Sequence, residues 1–441
     1  MIWHKIESFL YRLQQAVWRQ YTFHTIFSKR PHFIKTLRKA PFNYQDEPRL
    51  HIYEATVKNH PTIHATGKSF FSETDAKTAA FCEAVERLSY REFLPRDFTS
   101  ALYKDVKVES ALDIFSIAGF SPEEKRLDPR LQFDDNTRFA FVPAKDLQSG
   151  ADALVPLQLV SSQHFRRATS TIEPILRLPI TTGIAAGRTS EEAIYNGILE
   201  CIERDAFMIT YMNTVSPPKI NVRNLPIYIH NQHIVDYFES FQLRIHVVRL
   251  LTDFPVNTIA AVIVDESGRG PAVTIGAAAH HDVQAAVEKA LSEALTSRLY
   301  SRFRGLHRKE LVPGEPIRLK ERKVFWGKRE NLEKIHFFIS GKEEGRRVQA
   351  RDATQQLSQK SLLDVVLNFL KENRYPSYYI DMTPAWAEDL HLKIGKIIIP
   401  QLQPMHLDER YAYTGGERLW SVPRQLGYAP GNINTIPHPF H

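Results

Sequence analysis

The sequence predicts a globular fold of mixed helices and strands, and three observations support this. The chain has 441 residues, 43% of them hydrophobic, which is enough for a large core and by length alone fits two or three domains. No run approaches the roughly 18 to 20 consecutive apolar residues of a membrane-spanning helix. Helical and extended patterns alternate along the chain, with no low-complexity tract and no solenoid period.

The individual elements follow from these patterns. Long helices are predicted at residues 74–93, 190–212 and 282–303, each beginning at a Ser, Thr or Asp that can cap it. Short β-branched runs predict strands at residues 244–251, 258–265, 377–382 and 394–399. Residues 304–334 are charged and irregular, so we expect a surface connection or insertion there.

The net charge of +7 is concentrated near the N-terminus, where residues 1–41 hold eight Lys and Arg against Glu7 alone. We predict that residues 1–50 form a basic, aromatic-rich extension that docks on its own domain or on a partner subunit. The charge alone also leaves open nucleic acid, a membrane surface or an acidic partner. We favour the docking arm and predict neither a nucleic-acid nor a membrane partner.

Charged residues interrupt the first stretch, MIWHKIESFLYRLQQ, which excludes a signal-peptide core and predicts a cytoplasmic protein. Two cysteines occur, Cys82 and Cys201, far apart in sequence. They support neither a disulfide framework nor a Cys-based zinc site, and we expect both to be buried packing residues.

The pattern E-x-x-E-R occurs twice in apolar helix candidates, as Glu83, Glu86 and Arg87 and again as Glu200, Glu203 and Arg204. Residues three and four apart share one helix face, so each set forms a cluster. A single copy is typical of a solvated face with an intrahelical ion pair. Two copies indicate a site, because four crowded carboxylates need cations, and Mg²⁺ prefers carboxylate oxygens.

A third helix shares features with these two. A small residue stands seven positions before a glutamate in each helix, in the pairs Ala76 and Glu83, Ala193 and Glu200, and Ala286 and Glu293. A stretch of Gly, Ala and hydroxyl residues precedes each helix. We therefore expect the three helices to converge on one place, where carboxylate-bound Mg²⁺ would serve a nucleoside triphosphate.

Common nucleotide and metal motifs are missing from the sequence. The G-K-S at Gly67, Lys68 and Ser69 is not a P-loop, because Thr62 stands where the first glycine is required. Neither a Rossmann glycine fingerprint nor H-E-x-x-H occurs.

Longer segments around the paired motifs resemble the YcaO superfamily, whose members bind ATP and Mg²⁺ through paired E-x-x-E-R helices. The segments are TGKSFFSETDAKTAAFCEAVER, TTGIAAGRTSEEAIYNGILECIERDA, IGAAAHHDVQAAVEKALSEALTSR, YIDMTPAWAEDLHLKIGKIIIPQLQPMH, GGERL and the final IPHPFH. The resemblance covers about residues 60–441. It implies an α+β fold in which mixed sheets and packed helices form an ATP/Mg cavity, within a domain spanning residues 51–441.

The resemblance also implies roles for individual residues. The Mg²⁺ ligands would be Glu83, Glu86, Glu200 and Glu203. The nucleotide and its phosphates would be contacted by Lys68, Ser69, Arg87, Asn196, Arg204, Glu293 and Arg298. The Pro-rich tail would reach the active site and act through Pro437, Pro439 and His441. The chain departs from the family pattern at Ala79, usually Ser, at Asn196, often Gln, and at His441, usually Pro.

The activity implied by the resemblance is that of an ATP-dependent cyclodehydratase of the azoline-forming branch. Such an enzyme converts Cys, Ser or Thr of a ribosomally made precursor peptide to thiazoline or oxazoline by phosphorylating the backbone amide oxygen. The implied partners are the precursor peptide, an E1-like or ocin-ThiF-like leader-binding protein, a flavin dehydrogenase and a second copy of the chain. A thioamide- or amidine-forming enzyme and a non-catalytic scaffold subunit are the alternatives.

Overall fold

A computed structural model describes residues 33–42, 44–95, 97–107, 111–168, 173–344, 358–429 and 431–440. Its strands in chain order are β1 (Ile34–Lys39), β2 (His51–Val57), β3 (His60–Ser69), β4 (Thr99–Leu102), β5 (Arg138–Asp146), β6 (Asp152–Pro156), β7 (Ile184–Gly187), β8 (Tyr228–Ile229), β9 (Gln232–His233), β10 (Leu243–Arg249), β11 (Asn257–Asp265), β12 (Val273–His280), β13 (Tyr378–Asp381) and β14 (Lys393–Ile398).

The α-helices of the described residues are α1 (Glu73–Glu92), α2 (Tyr103–Val106), α3 (Pro122–Leu127), α4 (Ser162–Ala168), α5 (Ser190–Met212), α6 (Ile234–Glu239), α7 (Val283–Phe303), α8 (Leu319–Gly327), α9 (His336–Ile339), α10 (Gln359–Glu372), α11 (Ala385–Glu388) and α12 (Arg418–Gln425). The three predicted long helices occur as α1, α5 and α7. The four predicted strands occur as β10, β11, β13 and β14. None of the described helices combines the length and the apolar character needed to cross a bilayer.

The strands form antiparallel sheets. Two sheets have three strands each, in the orders β1-β2-β3 and β10-β11-β12. A third has the order β4-β5-β13-β14-β7 with β6 paired to β5, and β8 and β9 form a small ribbon. Helices pack on these sheets, so the predicted α+β class is confirmed.

Three strand–helix units organise the centre of the molecule. Helix α1 packs on β2 and β3, α7 packs on β11 and β12, and α5 packs on β7, β14 and β12. Side-chain caps begin all three helices, from Ser72, Thr189 and Asp282. Helix α5 is apolar on most of its circumference and is largely buried, as expected for a helix enclosed by sheets.

Close strand–helix packing in two units depends on glycine. A Cβ at Gly67 in β3 would lie 1.9 Å from the carbonyl oxygen of Ala76 in α1. A Cβ at Gly276 in β12 would lie 2.3 Å from that of Ala290 in α7. The backbones therefore approach more closely than any side chain would permit, which brings both helices hard against their strands.

The prediction of an irregular surface connection at residues 304–334 is wrong for its second half. Helix α8 lies there, and its Arg322, Val324 and Trp326 are buried. The Trp326 indole N–H donates to the carbonyl oxygen of Pro437 at 2.8 Å. The partner that buries this helix is more than a hundred residues away in sequence, so the local charge pattern could not indicate it.

Part of the predicted N-terminal extension belongs to a sheet. Residues 1–32, where an amphipathic segment is predicted, lie outside the described residues. Strand β1 pairs with β2 across the predicted boundary at residue 50. Phe33 is buried, with its ring centre 4.3 Å from that of Trp386. The two cysteines form no disulfide, and Cys201 is buried as predicted. The prediction is wrong for Cys82, which is only half-buried.

Candidate active site

Each of the three strand–helix units holds a glutamate against the backbone of its own strand segment. The carboxylate accepts a hydrogen bond from a backbone N–H 16 or 17 residues earlier. The pairs are Glu83 with Thr66 at 2.6 Å, Glu200 with Gly183 at 2.9 Å and Glu293 with Ala277 at 3.1 Å. The repetition predicted from sequence is therefore a repeated local geometry, and it fixes three carboxylates.

The first motif is joined to the second unit by Glu86, whose Oε1 accepts from the N–H of Ala186 in β7 at 2.8 Å. Within the second motif, Arg204 Nε lies 3.0 Å from Glu203 Oε1, and Arg204 Nη2 lies 3.8 Å from Glu200 Oε1. We call Glu83, Glu86, Glu200, Glu203 and Glu293 the carboxylate cluster.

Crowding and burial change how this cluster ionises. Burial, together with the charges of Glu200 and Glu83, raises the pKa of Glu86 to about 8. The hydrogen bond from the Ala186 N–H lowers this pKa but is outweighed. Burial, with the charges of Glu293 and Glu200, likewise raises the pKa of Glu203 to about 8, against Arg204 and Lys68. Carboxyl groups in this state hold protons at neutral pH unless a cation replaces them. The cluster therefore offers oxygen donors whose protons a hard cation such as Mg²⁺ can replace.

Cationic side chains border the cluster. Lys68 Nζ lies 3.8 Å from Glu293 Oε1. Arg87 is about half exposed, with Nε donating to Glu83 Oε1 at 2.8 Å. Lys323 of α8 also lies within reach of the charge of Glu293. Burial lowers the pKa of Lys323 to about 8, and the negative charge of Glu293 limits this decrease. Sequence reasoning missed Lys323 because it stands in the segment predicted to be irregular.

Two predicted nucleotide contacts have simple surroundings. Ser69 Oγ accepts from the N–H groups of Phe71 and Ser72, both at 3.1 Å, which shapes the turn into α1. Asn196 is exposed on α5, one helical turn before Glu200 and on the same face. Ser69 therefore lies just before α1, and Asn196 lies on α5, the two helices that carry the E-x-x-E-R motifs.

Arg298 does not join the cluster. Its guanidinium is 1% exposed and donates from Nε to Glu47 Oε2 at 2.8 Å and from Nη1 to the carbonyl oxygen of Pro271 at 3.2 Å. Asp265 lies 3.5 Å away. The predicted phosphate contact is corrected accordingly, since these buried partners occupy the arginine and tie α7 to the segment before β2.

Lys396, which was not among the residues predicted from the sequence, supports the second motif through the segment before β7. It is 1% exposed, and its Nζ donates to the carbonyl oxygens of Ile180 at 2.7 Å and Thr182 at 3.1 Å. Burial lowers its pKa to about 7. Lys396 therefore holds the turn whose Gly183 N–H binds Glu200. The sequence signal that could have indicated this role is an isolated lysine within an otherwise apolar strand.

The C-terminal tail, residues 431–440, runs into the protein. Pro437, Pro439 and Phe440 are buried, and the Pro437 carbonyl oxygen accepts from Tyr211 Oη at 3.1 Å. The Phe440 ring centre lies 4.2 Å from the guanidinium carbon of Arg204. The tail therefore reaches the arginine of the second motif. His441, predicted to act in catalysis, lies outside the described residues.

The α+β fold, the carboxylate cluster and its cationic border define a protein that binds a divalent cation together with a polyanion. A family model described as YcaO cyclodehydratase, ATP- and Mg²⁺-binding, matches residues 66–403. The chain belongs to this family, so the predicted family and the cofactors ATP and Mg²⁺ are confirmed. An uncharacterized protein of Methanothermobacter thermautotrophicus is 27% identical over 345 residues, which cover 76% of this chain and 81% of that protein.

Solved structures share the fold. One described as a heterocyclase in complex with substrate and cofactor has a TM-score of 0.76 at 20% identity, covering 95% of this chain and 57% of that one. YcaO from Methanopyrus kandleri bound with AMPPCP and Mg²⁺ has a TM-score of 0.62 at 17% identity, covering 87% and 91%. The E. coli microcin synthetase McbBCD complex has a TM-score of 0.58 at 13% identity, covering 83% and 88%. The chain thus spans little more than half the length of the heterocyclase.

Proposed function

We propose that this protein is an ATP-dependent peptide cyclodehydratase that forms thiazoline or oxazoline from Cys, Ser or Thr of a ribosomally made precursor peptide. The observation that carries the proposal is the pair of E-x-x-E-R motifs, which meet in the carboxylate cluster, where burial raises the pKa values of Glu86, Glu200 and Glu203. Membership of the YcaO cyclodehydratase family supports the reaction class.

Within this proposal Glu83, Glu86, Glu200 and Glu203 hold Mg²⁺, because they offer hard oxygen donors whose mutual repulsion the ion relieves. Lys68 and Arg87 steady the phosphates from the border of the cluster. Arg204 holds Glu203 in place and keeps its guanidinium near the cluster. Ser69 and Asn196 complete the proposed nucleotide contacts, and Glu293 positions Lys68 through their ion pair.

The proposed reaction begins when a Cys, Ser or Thr side chain attacks the preceding amide carbonyl. When bound, MgATP supplies the phosphoryl group that turns the amide oxygen into a leaving group. The cationic side chains stabilise the negative charge that develops there. No covalent enzyme nucleophile is required. We assign the tail residues Pro437, Pro439 and His441 to orienting the peptide and to taking up the proton lost on cyclisation.

We further propose that the protein works with partners. The precursor peptide is the substrate, and an E1-like or ocin-ThiF-like protein binds its leader. A flavin dehydrogenase oxidises azolines to azoles, and two copies of the chain form a dimer within the complex. Support comes from relatives of similar fold, one described as complexed with substrate and one as part of a synthetase complex.

An alternative within the family is a thioamide- or amidine-forming enzyme, and an alternative outside catalysis is a scaffold subunit. The Pro-rich tail favours azoline formation over the first. Backbone and arginine contacts hold all five carboxylates in place, which favours a catalytic role over that of a scaffold subunit.

The deciding experiment incubates the full chain with MgATP, its partner protein and a short Cys/Ser/Gly-rich peptide encoded beside its gene. Azoline formation removes one water per ring from the peptide mass and releases phosphate, whereas thioamide formation replaces oxygen with sulfur. A scaffold subunit would leave the peptide unchanged. Amidine formation also removes water, but at an amine. Only the loss of water at a Cys, Ser or Thr, located by fragmentation of the peptide, coupled to phosphate release and abolished in Glu83→Gln, agrees with the proposal.

A further inference from the structure

A second group of metal-ligand side chains lies under the C-terminal tail and shares no residue with the carboxylate cluster. His406, Glu409 and His438 each place a ligand atom within 4.8 Å of the other two. Both histidines are buried, with exposed fractions of 4% and 1%. His406 and Glu409 follow β14, whereas His438 belongs to the tail, so the group joins two separate segments.

Glu409 is already held in an orientation that suits a ligand. Arg322, which is fully buried, donates from Nε to Glu409 Oε1 at 2.6 Å. The other oxygen, Oε2, lies 2.9 Å from His406 Nε2. Arg322 also donates from Nη2 to the His406 carbonyl oxygen at 3.1 Å. Outer contacts of this kind fix the carboxylates and imidazoles of metal sites.

His438 is held in one tautomer by the same network. Its Nε2 lies 3.1 Å from the His406 carbonyl oxygen. Because a carbonyl oxygen can only accept, Nε2 carries the proton and Nδ1 carries the lone pair. A histidine whose one nitrogen donates to a carbonyl presents its other nitrogen as the usual metal ligand.

The group borders a cavity of about 100 Å³. Tyr211 of α5 and the tail residues Asn434 and Ile436 are among the other residues that line it. The cavity has room for more than one water molecule, so a water could supply a fourth ligand. Tetrahedral sites of two imidazoles, one carboxylate and water are typical of zinc.

We propose that His406, Glu409 and His438 bind a divalent cation of the zinc class, which fastens the tail to the segment after β14. Imidazole nitrogens suit Zn²⁺, whereas Mg²⁺ and Ca²⁺ need several oxygens. Arg322 offsets the charge of Glu409, which further disfavours the harder ions. When the metal binds, His406 Nε2 and Glu409 Oε2 each bond to it instead of to each other. The proton of the His406 imidazole then moves from Nε2 to Nδ1, whereas His438 keeps its proton on Nε2.

The test uses the full chain, stripped with EDTA, exchanged into buffer with excess Mg²⁺ to occupy the carboxylate cluster, mixed with ZnCl₂ and desalted. Elemental analysis should find one zinc per chain in the wild type. Glu203→Gln and the exposed His64→Ala serve as controls and should keep it. His438→Ala should lose it. Because His438 is buried and its loss could disturb folding, the test also uses Glu409→Gln, which removes a charged ligand and keeps the shape of the side chain. This variant should lose the zinc as well.

Two readouts separate this site from the carboxylate cluster without measuring activity. Co²⁺ in place of zinc should give the intense visible absorption of tetrahedral coordination, and Glu409→Gln should remove it. Zinc should also slow amide hydrogen exchange in the tail, because the metal joins His438 to the protein. Wild-type protein that retains no zinc, equal retention in Glu409→Gln, or loss of zinc in Glu203→Gln would each overturn the proposal.

Discussion

The guanidinium carbon of Arg204 lies 4.2 Å from the centre of the Phe440 ring. Arg204 is the arginine of the second motif and pairs with Glu203 at 3.0 Å. Phe440 belongs to the tail, is 1% exposed and also packs on Phe207, with 4.9 Å between ring centres. The tail is therefore part of the wall that positions the carboxylate cluster, and changes at Phe440 should reach the site through Arg204.

Replacing Phe440 with Leu should reduce ATP consumption more than stability. Leucine keeps the apolar contact with Phe207 but removes the aromatic face that holds Arg204, worth about 0.5–2 kcal/mol. The expected loss in kcat/KM for ATP is about twofold to thirtyfold. Phe303→Leu, at an exposed ring, is the matched control and should leave the rate unchanged. A full rate in Phe440→Leu would show that Arg204 needs no support from the tail.

Glu203→Gln should abolish ATP consumption in a protein that stays folded. The substitution removes a proposed metal ligand and, above about pH 8, where Glu203 is ionised, also relieves repulsion among crowded carboxylates. The free energy of unfolding without Mg²⁺ should therefore rise at that pH, while the rate falls more than about a hundredfold. Glu191→Gln, on the exposed side of the same helix, is the control. Phosphate release and melting temperature measure the two effects, and undiminished release would remove Glu203 from the site.

The metal-free protein should lose stability as pH rises from about 5 to about 8. Glu86 and Glu203 have pKa values raised from 4.5 to about 8, so in this window the folded state binds more protons than the unfolded state. Mg²⁺ replaces those protons, and its stabilising effect should therefore grow with pH. Melting temperatures with EDTA and with Mg²⁺ measure this. Glu203→Gln should flatten the pH dependence, and a curve that rises with pH in EDTA would contradict the site.

The sequence predicted the repeated features of the molecule well. Caps, helical periodicity and the spacing of Glu83, Glu200 and Glu293 are local, and each is set by residues within one strand–helix unit. The convergence of the three helices followed from that repetition. What the sequence could not show was where a side chain points once the helix is packed. Arg298 stands one and a half turns after Glu293, yet it faces Glu47 in a buried ion pair.

Residues that the sequence missed depend on contacts between distant segments. Lys323 and Trp326 lie in a charged stretch that forms a helix, and their partners, Glu293 and the Pro437 carbonyl oxygen, belong to distant segments. Lys396 gains its role from two carbonyl oxygens more than two hundred residues earlier. Periodicity carries no information about such partners, because they add no local pattern.

Two N-terminal truncations should separate docking from folding. Deleting residues 1–32 should keep the fold and ATP binding while weakening dimer or partner contacts, as the docking-arm prediction requires. Deleting residues 1–41 also removes β1 and Phe33, which exposes the edge of β2 and the ring of Trp386. The second deletion should lower stability by about 2 kcal/mol or more. Light scattering, nucleotide binding and melting curves measure these effects, and loss of ATP binding in the shorter deletion would refute the docking arm.

A short Gly-Ser extension after His441 should suppress azoline formation far more than ATP binding. Residues 437–440 are buried, and the Pro437 carbonyl accepts from both Tyr211 and Trp326, so added residues have to displace packed groups. Deleting residues 437–441 is a harsher change, because it leaves those two donors unpaired at about 1–3 kcal/mol each. The same extension at the N-terminus is the control. His441→Pro should be tolerated, since we assign the action of the tail to its shape, which proline preserves. Peptide mass and the affinity for an ATP analogue give the two readouts. Complete cyclisation by the extended enzyme would remove the tail from the reaction, and failure of His441→Pro would assign the proton to the imidazole instead.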